Sequence, residues 1–269
     1  MKALPILMYH HVSPEPGLVT ISPNNFAAQM AWLAANDYHT IGSDDLERFL
    51  EGNSLPERAV MLTFDDGYLD NYVHAYPTLQ KHGLHAVIFV VTNWVGNGPP
   101  RATCGEPRQP ILLNHRDCQE RIRNGCSDDA IMRWSEVEAT RDAGVFEFHS
   151  HTASHTRWDK VCVTDEEKIR ALSHDLELSA TTLAAKLGAA SKHLCWPQGY
   201  FDDDYLAVAS RLGFTHLYTT QPGSATRNST PTSLPRVVVK DKGATWLANR
   251  IRLYRSPTLA RWYGALKSR

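Results

Sequence analysis

The stretch Ala59-Val-Met-Leu-Thr-Phe-Asp-Asp-Gly67 decides the fold of this chain. Residues 59–64 form an apolar run that is too short for a buried helix, and the turn sequence Asp65-Asp66-Gly67 follows it. We therefore predict a buried strand over Ala59–Phe64 with two carboxylates directly after it. Parallel α/β sheets and barrels hold their ligands at the carboxyl ends of the strands. Two carboxylates there are costly unless a cation or a proton compensates them, so this pair is the first candidate for a functional site.

Short apolar runs alternate with amphipathic helical stretches on both sides of this strand, which is typical of parallel βαβ construction. About seven such alternations indicate one large α/β domain. Further strands are predicted at Leu4–Tyr9, Ala86–Val91, Val145–His149, His193–Trp196, Thr215–Thr219 and Arg236–Val239. Helices are predicted at about Pro23–Asn36, Ser43–Gly52, Leu69–His82, Ser135–Ala143, Asp165–Leu187 and Asp202–Leu212.

The composition excludes several classes of protein. With 269 residues, 42% hydrophobic and 21% charged, the chain is not disordered, collagenous or a coiled coil. A net charge of −1 argues against a nucleic-acid partner bound through an overall positive field. No apolar run reaches the roughly 18–20 residues of a membrane span. The first residues lack the small-residue cleavage site of a signal peptide, so we expect a cytoplasmic protein.

Two regions depart from the alternation. Residues 95–130 are rich in Pro, Gly and Cys, and we interpret them as an insertion in a domain that spans residues 1–240. Residues 241–269 form a basic amphipathic helical tail in this interpretation, since eight Lys or Arg and one Asp lie between Lys240 and the end. Pro257 divides its apolar positions into two helices. These helices either lie on an anionic membrane surface or pack on the domain.

The five cysteines favour free thiols over a disulfide framework, because their number is odd and the chain is long enough to bury a core. Three of them lie in the insertion beside a histidine, and a structural zinc is the alternative there. The spacing matches none of the common zinc patterns, however. The residues concerned are Cys104, His115, Cys118 and Cys126.

His151 and His155 follow another predicted strand and are four residues apart. On a helical turn this spacing puts both imidazoles on one face, within reach of one ion. A chance pair of surface histidines is the alternative in a chain with thirteen His. Together with Asp66 they would form a site of two imidazoles and one carboxylate with open positions, as in zinc hydrolases or non-haem iron enzymes. His149 has the wrong spacing, and we expect it in the core or behind the ligands.

Polar residues also follow two further predicted strands. Trp196-Pro-Gln-Gly199 is a turn whose backbone N–H groups could point into the site as oxyanion donors. Tyr9-His10-His11 ends the first strand in the same way. Because the carboxyl ends of parallel strands meet at one edge, these residues are expected near Asp65 and Asp66.

Three of these motifs in order, Thr63-Phe-Asp-Asp-Gly67, His151-Thr-Ala-Ser-His155 and Pro197-Gln-Gly199, resemble the polysaccharide deacetylase family. This family is also called carbohydrate esterase family 4 or the NodB homology domain. The likeness spans about residues 4–240, and Tyr9-His10 is similar to the branch that includes poly-N-acetylglucosamine deacetylases. The resemblance implies a distorted (β/α)7 barrel, and the sequence pattern adds the inserted loop and the C-terminal amphipathic helical segment. It also implies metal-dependent hydrolysis of the N-acetyl group of an amino sugar, a carbohydrate C–N amide bond that is not a peptide bond.

The resemblance further implies a role for each candidate residue. Asp65 would be the general base, and Zn²⁺ or another divalent transition metal would be the cofactor. The family's third motif usually begins with an Arg that orients the base, but Cys195 stands at that position, and Arg236 is the candidate replacement. The remaining roles would fall to Asp66, His151 and His155 as metal ligands, to the backbone N–H of Gln198 as oxyanion donor, and to His10 as general acid.

The substrate follows from the expected location. A cytoplasmic enzyme with a basic amphipathic tail suggests an N-acetylated or N-formylated amino sugar on a lipid carrier such as undecaprenyl phosphate, at the inner face of the cytoplasmic membrane. Such a glycolipid would be a precursor for lipopolysaccharide or other envelope modification. Two alternatives stay open. One is a catalytically silent carbohydrate-binding barrel, favoured if Cys195 marks a decayed site; the other is a metal-dependent hydrolase of another bond, such as a phosphoester, which would normally need a second metal.

Overall fold

Strand β5, which contains the Ala59–Phe64 run, is buried along its whole length in the computed structural model. The structure describes residues 3–256 and 258–260. β5 is two residues longer than predicted, because Asp65 and Asp66 still pair with Phe89 and Val90 of the neighbouring strand. The strands are β1 Ile6–Tyr9, β2 His11–Val12, β3 Thr20–Ile21, β4 His39–Thr40, β5 Ala59–Asp66, β6 Ala86–Val90, β7 Phe146–Ser150, β8 His193–Cys195, β9 His216–Pro222 and β10 Leu234–Val238.

Seven parallel strands form a continuous ring. The order runs from β5 through β6, β7, β8, β9 and β10 to β1, and β1 pairs with β5 again. The short β4 pairs with the first residues of β5, and β2 and β3 form a separate two-stranded sheet. The predicted α/β class and its seven-stranded barrel are confirmed, whereas β2, β3 and β4 were not predicted because each is only two residues long.

Helices surround this ring and bury its outer face. They are α1 Pro23–Ala35, α2 Ser43–Leu50, α3 Tyr76–His82, α4 His115–Arg123, α5 Trp134–Asp142, α6 Trp158–Val161, α7 Asp165–Leu187, α8 Asp203–Arg211 and α9 Ala244–Tyr254. The longest, α7, begins at a capping box between Thr164 and Glu167 and ends at Gly188 in the left-handed conformation. Helix α2 differs from the rest, because Leu46 and Phe49 pack with the barrel-interior residues Met61 and Val87 and so cover the amino-terminal end of the ring.

The helix predicted over Leu69–His82 is split in two. Asn71–Ala75 form a π-helical turn, and the α-helix begins only at Tyr76. Asp70 accepts a hydrogen bond from the Val12 backbone N–H, and Asn71 donates one to the His10 carbonyl. Single π turns occur often near functional sites, and this one fixes the backbone around His10.

The insertion is more ordered than a plain loop, since it contains α4 and a 3₁₀ turn over Ser127–Asp129. Arg101 anchors it to the domain. Its guanidinium donates to both carboxylate oxygens of Glu136, at 2.8 and 2.7 Å, and to the carbonyls of Asp128 and Ile131. Glu136 is fully buried, so Arg101 compensates its charge.

We predict that Arg101→Met lowers the free energy of unfolding by about 3–5 kcal/mol, because it leaves the Glu136 carboxylate buried without a counter-charge. Urea denaturation followed by circular dichroism measures the change. Arg121→Met removes a pair that is half exposed on both sides and should cost less than about 1 kcal/mol. Equal stability of the two variants would show that Arg101 does not anchor the insertion.

The first part of the basic tail packs on the domain. In α9, Leu247, Ile251 and Tyr254 are buried in the main hydrophobic core. The apolar face of this helix is therefore buried in the fold. This agrees with the interpretation in which the tail packs on the domain. The predicted second helix, with Trp262, Tyr263 and Leu266, falls largely outside the described residues. No helix of the described part is both long and apolar enough to span a bilayer.

Candidate metal centre

Three side chains meet at the carboxyl edge of the barrel. Nε2 of His151 lies 3.3 Å from Oδ1 of Asp66, and Nε2 of His155 lies 3.5 Å from the same oxygen. Asp66 and His151 are buried, and the His155 side chain is 20% exposed. The three residues that the sequence singled out as metal ligands are thus brought together.

The loop after β7 positions the two imidazoles without a helical turn. Thr152 and His155 have positive φ angles, of 66° and 59°. The hydroxyl of Ser150 accepts from the Thr152 N–H, and the hydroxyl of Thr152 accepts from the His155 N–H. The prediction of a helical turn was therefore wrong, although the spacing of four still brings the rings within 4.9 Å of each other. Left-handed residues other than Gly are strained and concentrate at functional sites.

Hydrogen bonds behind His151 fix its tautomer. Nδ1 lies 2.7 Å from the carbonyl oxygen of Cys195 and donates to it, so Nε2 is the nitrogen that faces Asp66 and is available to a metal ion. Metal-bound histidines commonly have this arrangement. Trp94 packs against the other imidazole, with 5.2 Å between the ring centroids of Trp94 and His155.

The electrostatics of the cluster favour bound positive charge. Burial opposes ionisation of Asp66, but His151 and His155 outweigh it and lower the pKa of this carboxyl. Burial lowers the pKa of His155 to about 4 against the pull of Asp66, which leaves that imidazole neutral. Burial also opposes protonation of His151, yet Cys195 and the Asp66 carboxylate outweigh it and raise the pKa of His151. An ionised carboxylate thus faces two imidazole nitrogens.

The residues present fit a tetrahedral divalent cation. Oδ1 of Asp66 is buried and finds no hydrogen-bond donor among the described residues. A zinc ion held at 2.0–2.2 Å keeps its ligand atoms about 3.4 Å apart, which matches the 3.3 and 3.5 Å distances. A group of Asp65, His151 and Cys195 is also close enough to hold an ion, but both oxygens of Asp65 are already occupied by an arginine.

That arginine is Arg236, which is fully buried on β10. Nη1 donates to Oδ1 of Asp65 at 2.6 Å, and Nη2 donates to Oδ2 at 2.8 Å. Nη2 also lies 3.0 Å from Sγ of Cys195. Burial acts to raise the pKa of Asp65, but the charge and hydrogen bonds of Arg236 outweigh it, so the pKa is lowered and the carboxylate stays ionised. The small thiol at position 195 leaves room for a guanidinium from another strand.

His10 and Gln198 complete the edge. Nε2 of His10 lies 3.7 Å from Oδ2 of Asp65, and the side chain is 20% exposed. Burial lowers the pKa of His10, although the two aspartates act in the opposite direction. Gln198 lies in the turn Pro197–Gly199 with a φ of 58°, so it is a fourth strained residue of this edge after Asp66, Thr152 and His155.

The other histidine and cysteine residues that the sequence analysis considered do not join this cluster. His149 is hydrogen-bonded to Ser191 and lies on β7 below the ligands. No group of Cys104, His115, Cys118 and Cys126 within the described ranges is close enough to hold an ion, and Cys104 and Cys126 are exposed. The sequence analysis did not include Trp94 in the site. Its position shortly after β6, at the same edge of the barrel, could have indicated that it lies there.

A parallel barrel with a cluster that could hold a cation, beside an arginine-held carboxylate at its carboxyl edge, is typical of a hydrolase centre. Comparison with known proteins identifies the family. The model of the polysaccharide deacetylase family matches residues 52–217, so the chain belongs to this family, and the resemblance drawn from the motifs is confirmed. The enzyme class predicted from it, hydrolases of a carbohydrate C–N amide bond, is confirmed with it.

Individual relatives agree with this assignment. YxkH of Bacillus subtilis (strain 168), which bears the family's name, is 28% identical over 88% of this chain and 71% of its own length. The poly-β-1,6-N-acetyl-D-glucosamine N-deacetylase of Staphylococcus aureus (strain MRSA252) is 24% identical over 86% of this chain and 71% of its own. The deacetylase PplD of Streptococcus pyogenes, solved with acetate, shares the fold: its TM-score is 0.73 at 23% identity, covering 93% of this chain and 98% of that one.

Removing Arg236 should change both the stability of the protein and its dependence on pH. We expect Arg236→Met to cost about 3–5 kcal/mol at pH 7, because the buried Asp65 carboxylate loses its counter-charge. Asp65 then takes a raised pKa, so the folded state binds more protons than the unfolded state, and the deficit relative to the unmutated protein shrinks as the pH falls from 7 to 5. Denaturant unfolding at both pH values measures this, with the exposed Arg227→Met as control. A deficit that is constant with pH would contradict the assigned pairing.

Proposed function

We propose that this chain hydrolyses the N-acetyl (or N-formyl) group of a glycan amino sugar in a metal-dependent reaction. The observation that carries the proposal is the Asp66, His151 and His155 cluster beside an ionised Asp65 at the carboxyl edge of the barrel. A divalent transition metal such as Zn²⁺, held by these three residues, would supply a water of lowered pKa and would polarise the acyl carbonyl.

The other side chains then have separate tasks. Asp65, oriented by Arg236, takes the proton from the attacking water; a carboxylate of low pKa is a sufficient base for a water that is itself acidified. The backbone N–H of Gln198 stabilises the developing oxyanion. His10 protonates the departing amine, and the 3.7 Å between Nε2 and the Asp65 oxygen is a short path for the proton that Asp65 has taken up.

The catalytically silent alternative rested on Cys195. In the structure Arg236 holds Asp65 from β10, with the Cys195 thiol packed against it, so the base keeps its bidentate partner. This geometry favours an active enzyme. A phosphoester hydrolase would normally use a second metal at the same edge, 3.5–4 Å from the first.

The groove beside His10 supports a substrate on an anionic lipid carrier. A cavity of ≈ 390 Å³ lies beside His10, and its lining includes Tyr9, Leu18, Val238, Lys240, Asp241 and Lys242. Leu18 is 90% exposed, and Val238 is 46% exposed. The two lysines suit a phosphate and the exposed apolar residues suit an acyl or prenyl chain. A carrier such as undecaprenyl phosphate would place the enzyme at the inner face of the cytoplasmic membrane.

Acetate release from a panel of N-acetylated substrates tests the function. The protein, loaded with zinc, is incubated with N-acetylglucosamine oligomers, nucleotide-linked N-acetyl sugars and a lipid-phosphate-linked N-acetyl sugar. We expect acetate release, fastest with the lipid-linked substrate. Release from none of them would contradict the function, and equal rates for free and lipid-linked sugars would contradict the carrier.

The lysines give a sharper test of the carrier. We predict that Lys240→Ala/Lys242→Ala raises KM about thirtyfold for the lipid-phosphate-linked sugar, since each cation is worth about 1 kcal/mol at an anionic group, and leaves KM for the free oligomer unchanged. Lys81→Ala/Lys160→Ala, which removes the same charge from exposed positions elsewhere, is the matched control. A rise in KM for both substrates would show that the lysines bind the sugar and not the carrier.

A further inference from the structure

A second cluster of metal-ligating side chains lies at the opposite end of the barrel. Glu47 is on α2, which covers the amino-terminal end of the ring, and His193 and His216 are the first residues of β8 and β9. His193 and His216 are paired across these two strands. None of the three takes part in the centre at the carboxyl edge, and they belong to none of the motifs that carry the family resemblance.

The distances in this cluster fit one small cation. Oε1 of Glu47 lies 2.9 Å from Nε2 of His193 and 3.8 Å from Nδ1 of His216. One ligand atom from each residue lies within 4.8 Å of the others. The two oxygen–nitrogen distances lie on either side of the roughly 3.4 Å separation expected around tetrahedral zinc, so each would change by about half an ångström when an ion binds. Nδ1 of His216 also lies 3.0 Å from the Thr215 hydroxyl, and it would exchange this contact for the ion.

His193 is prepared to act as a ligand. Its side chain is 3% exposed, and Nδ1 lies 3.0 Å from the hydroxyl of Tyr218, which directs Nε2 towards Glu47. Burial, together with the neighbouring His149 and His216, lowers the pKa of His193 to about 2, so its ring is neutral. Neutral imidazole is the form that binds a metal. A hydrogen-bonded partner on the far nitrogen is typical of metal-bound histidines.

The site can be reached from solvent. The side chains of Glu47 and His216 are 23% and 13% exposed. Lys192 is the nearest cation, with Nζ 4.0 Å from Oε2 of Glu47, and its side chain is 65% exposed. It therefore approaches the oxygen that faces away from the histidines and can move into solvent when an ion binds.

We propose that Glu47, His193 and His216 form a second site for a divalent transition-metal ion such as Zn²⁺, with an open position for water. Two imidazoles and a carboxylate are ligands that zinc prefers. The ion would tie α2 to β8 and β9 and so hold the cover on the amino-terminal end of the barrel. The ligand set shares no residue with Asp66, His151 and His155, so we assign this ion the structural role of holding α2 in place.

Metal stoichiometry tests the proposal independently of catalysis. Metal-free protein is dialysed against zinc chloride, and bound zinc is measured by elemental analysis. We expect two equivalents in the unmutated protein and one in His216→Ala and in Glu47→Gln. The exposed His174→Ala is the matched control and should keep two. The same zinc content in Glu47→Gln, His216→Ala and the unmutated protein would overturn the proposal.

A second pair of variants separates the two sites. Asp66→Asn, which disables the centre at the carboxyl edge, should still bind one zinc ion, and zinc should raise its Tm by about 5 °C when present well above Kd. Asp66→Asn/His216→Ala should bind none and show no rise. His216→Ala alone should keep at least half of any deacetylase activity. If the double variant binds as much zinc as Asp66→Asn, the second site is refuted. The numbers of bound zinc ions do not depend on whether the protein is a deacetylase.

Discussion

Asp65→Asn should lower kcat for acetate release by about 10²–10⁴-fold while the metal content stays at the level of the unmutated protein. The substitution keeps the size of the side chain and removes its ability to accept a proton, and general bases contribute rate factors of this size. The metal is retained because both Asp65 oxygens are hydrogen-bonded to Arg236 and Asp65 is not one of the three proposed ligands. Acetate assays and elemental analysis on the same preparation measure both quantities.

Asp45→Asn is the matched control, since Asp45 is another arginine-paired aspartate and lies on α2 at the amino-terminal end of the ring. It should keep its rate within about twofold. An Asp65→Asn protein that turns over at a rate near that of the unmutated protein would rule out Asp65 as the base, and loss of metal from it would place Asp65 among the ligands.

His151→Ala should remove one equivalent of metal and reduce acetate release to the background. His151 is buried, and its Nε2 is 3.3 Å from the Asp66 oxygen, so its loss leaves two ligands and a cavity. Two protein ligands are fewer than the three that catalytic zinc sites normally have. Elemental analysis and the acetate assay report the two effects.

Because a buried side chain is deleted, a second variant separates misfolding from metal loss. The His155 side chain is partly exposed, so its removal disturbs the core less. His155→Ala should also lose one equivalent of metal and its acetate release, while keeping the circular dichroism spectrum of the unmutated protein. Full metal content in both variants would show that the two imidazoles do not hold the ion.

Much of the carboxyl edge could be predicted from the sequence because it depends on local features. An apolar run such as Ala59–Phe64 fixes a buried strand, and parallel strands put whatever follows them at one edge. Asp66, His151 and His155 are therefore brought together by strand ends, which the pattern of apolar runs shows directly.

Features that depend on contacts between distant segments could not be predicted from the sequence. The pairing of Asp65 with Arg236 joins residues 171 positions apart, and motif order alone offered Arg236 only as a candidate. The turn that presents His155 was misjudged, because a spacing of four occurs in strained loops as well as in helices. The Glu47 cluster escaped notice, since its histidines begin strands and its carboxylate lies on a helix far from both in the sequence.

Metal removal and readdition is the most direct test of the central claim, that Asp66, His151 and His155 bind the ion on which deacetylation depends. Protein treated with a chelator and dialysed should release no acetate from an N-acetylglucosamine oligomer, and zinc should restore the rate in the unmutated protein and in His216→Ala but not in Asp66→Asn. Acetate release that persists after complete removal of metal, or that zinc restores in Asp66→Asn, would contradict the account.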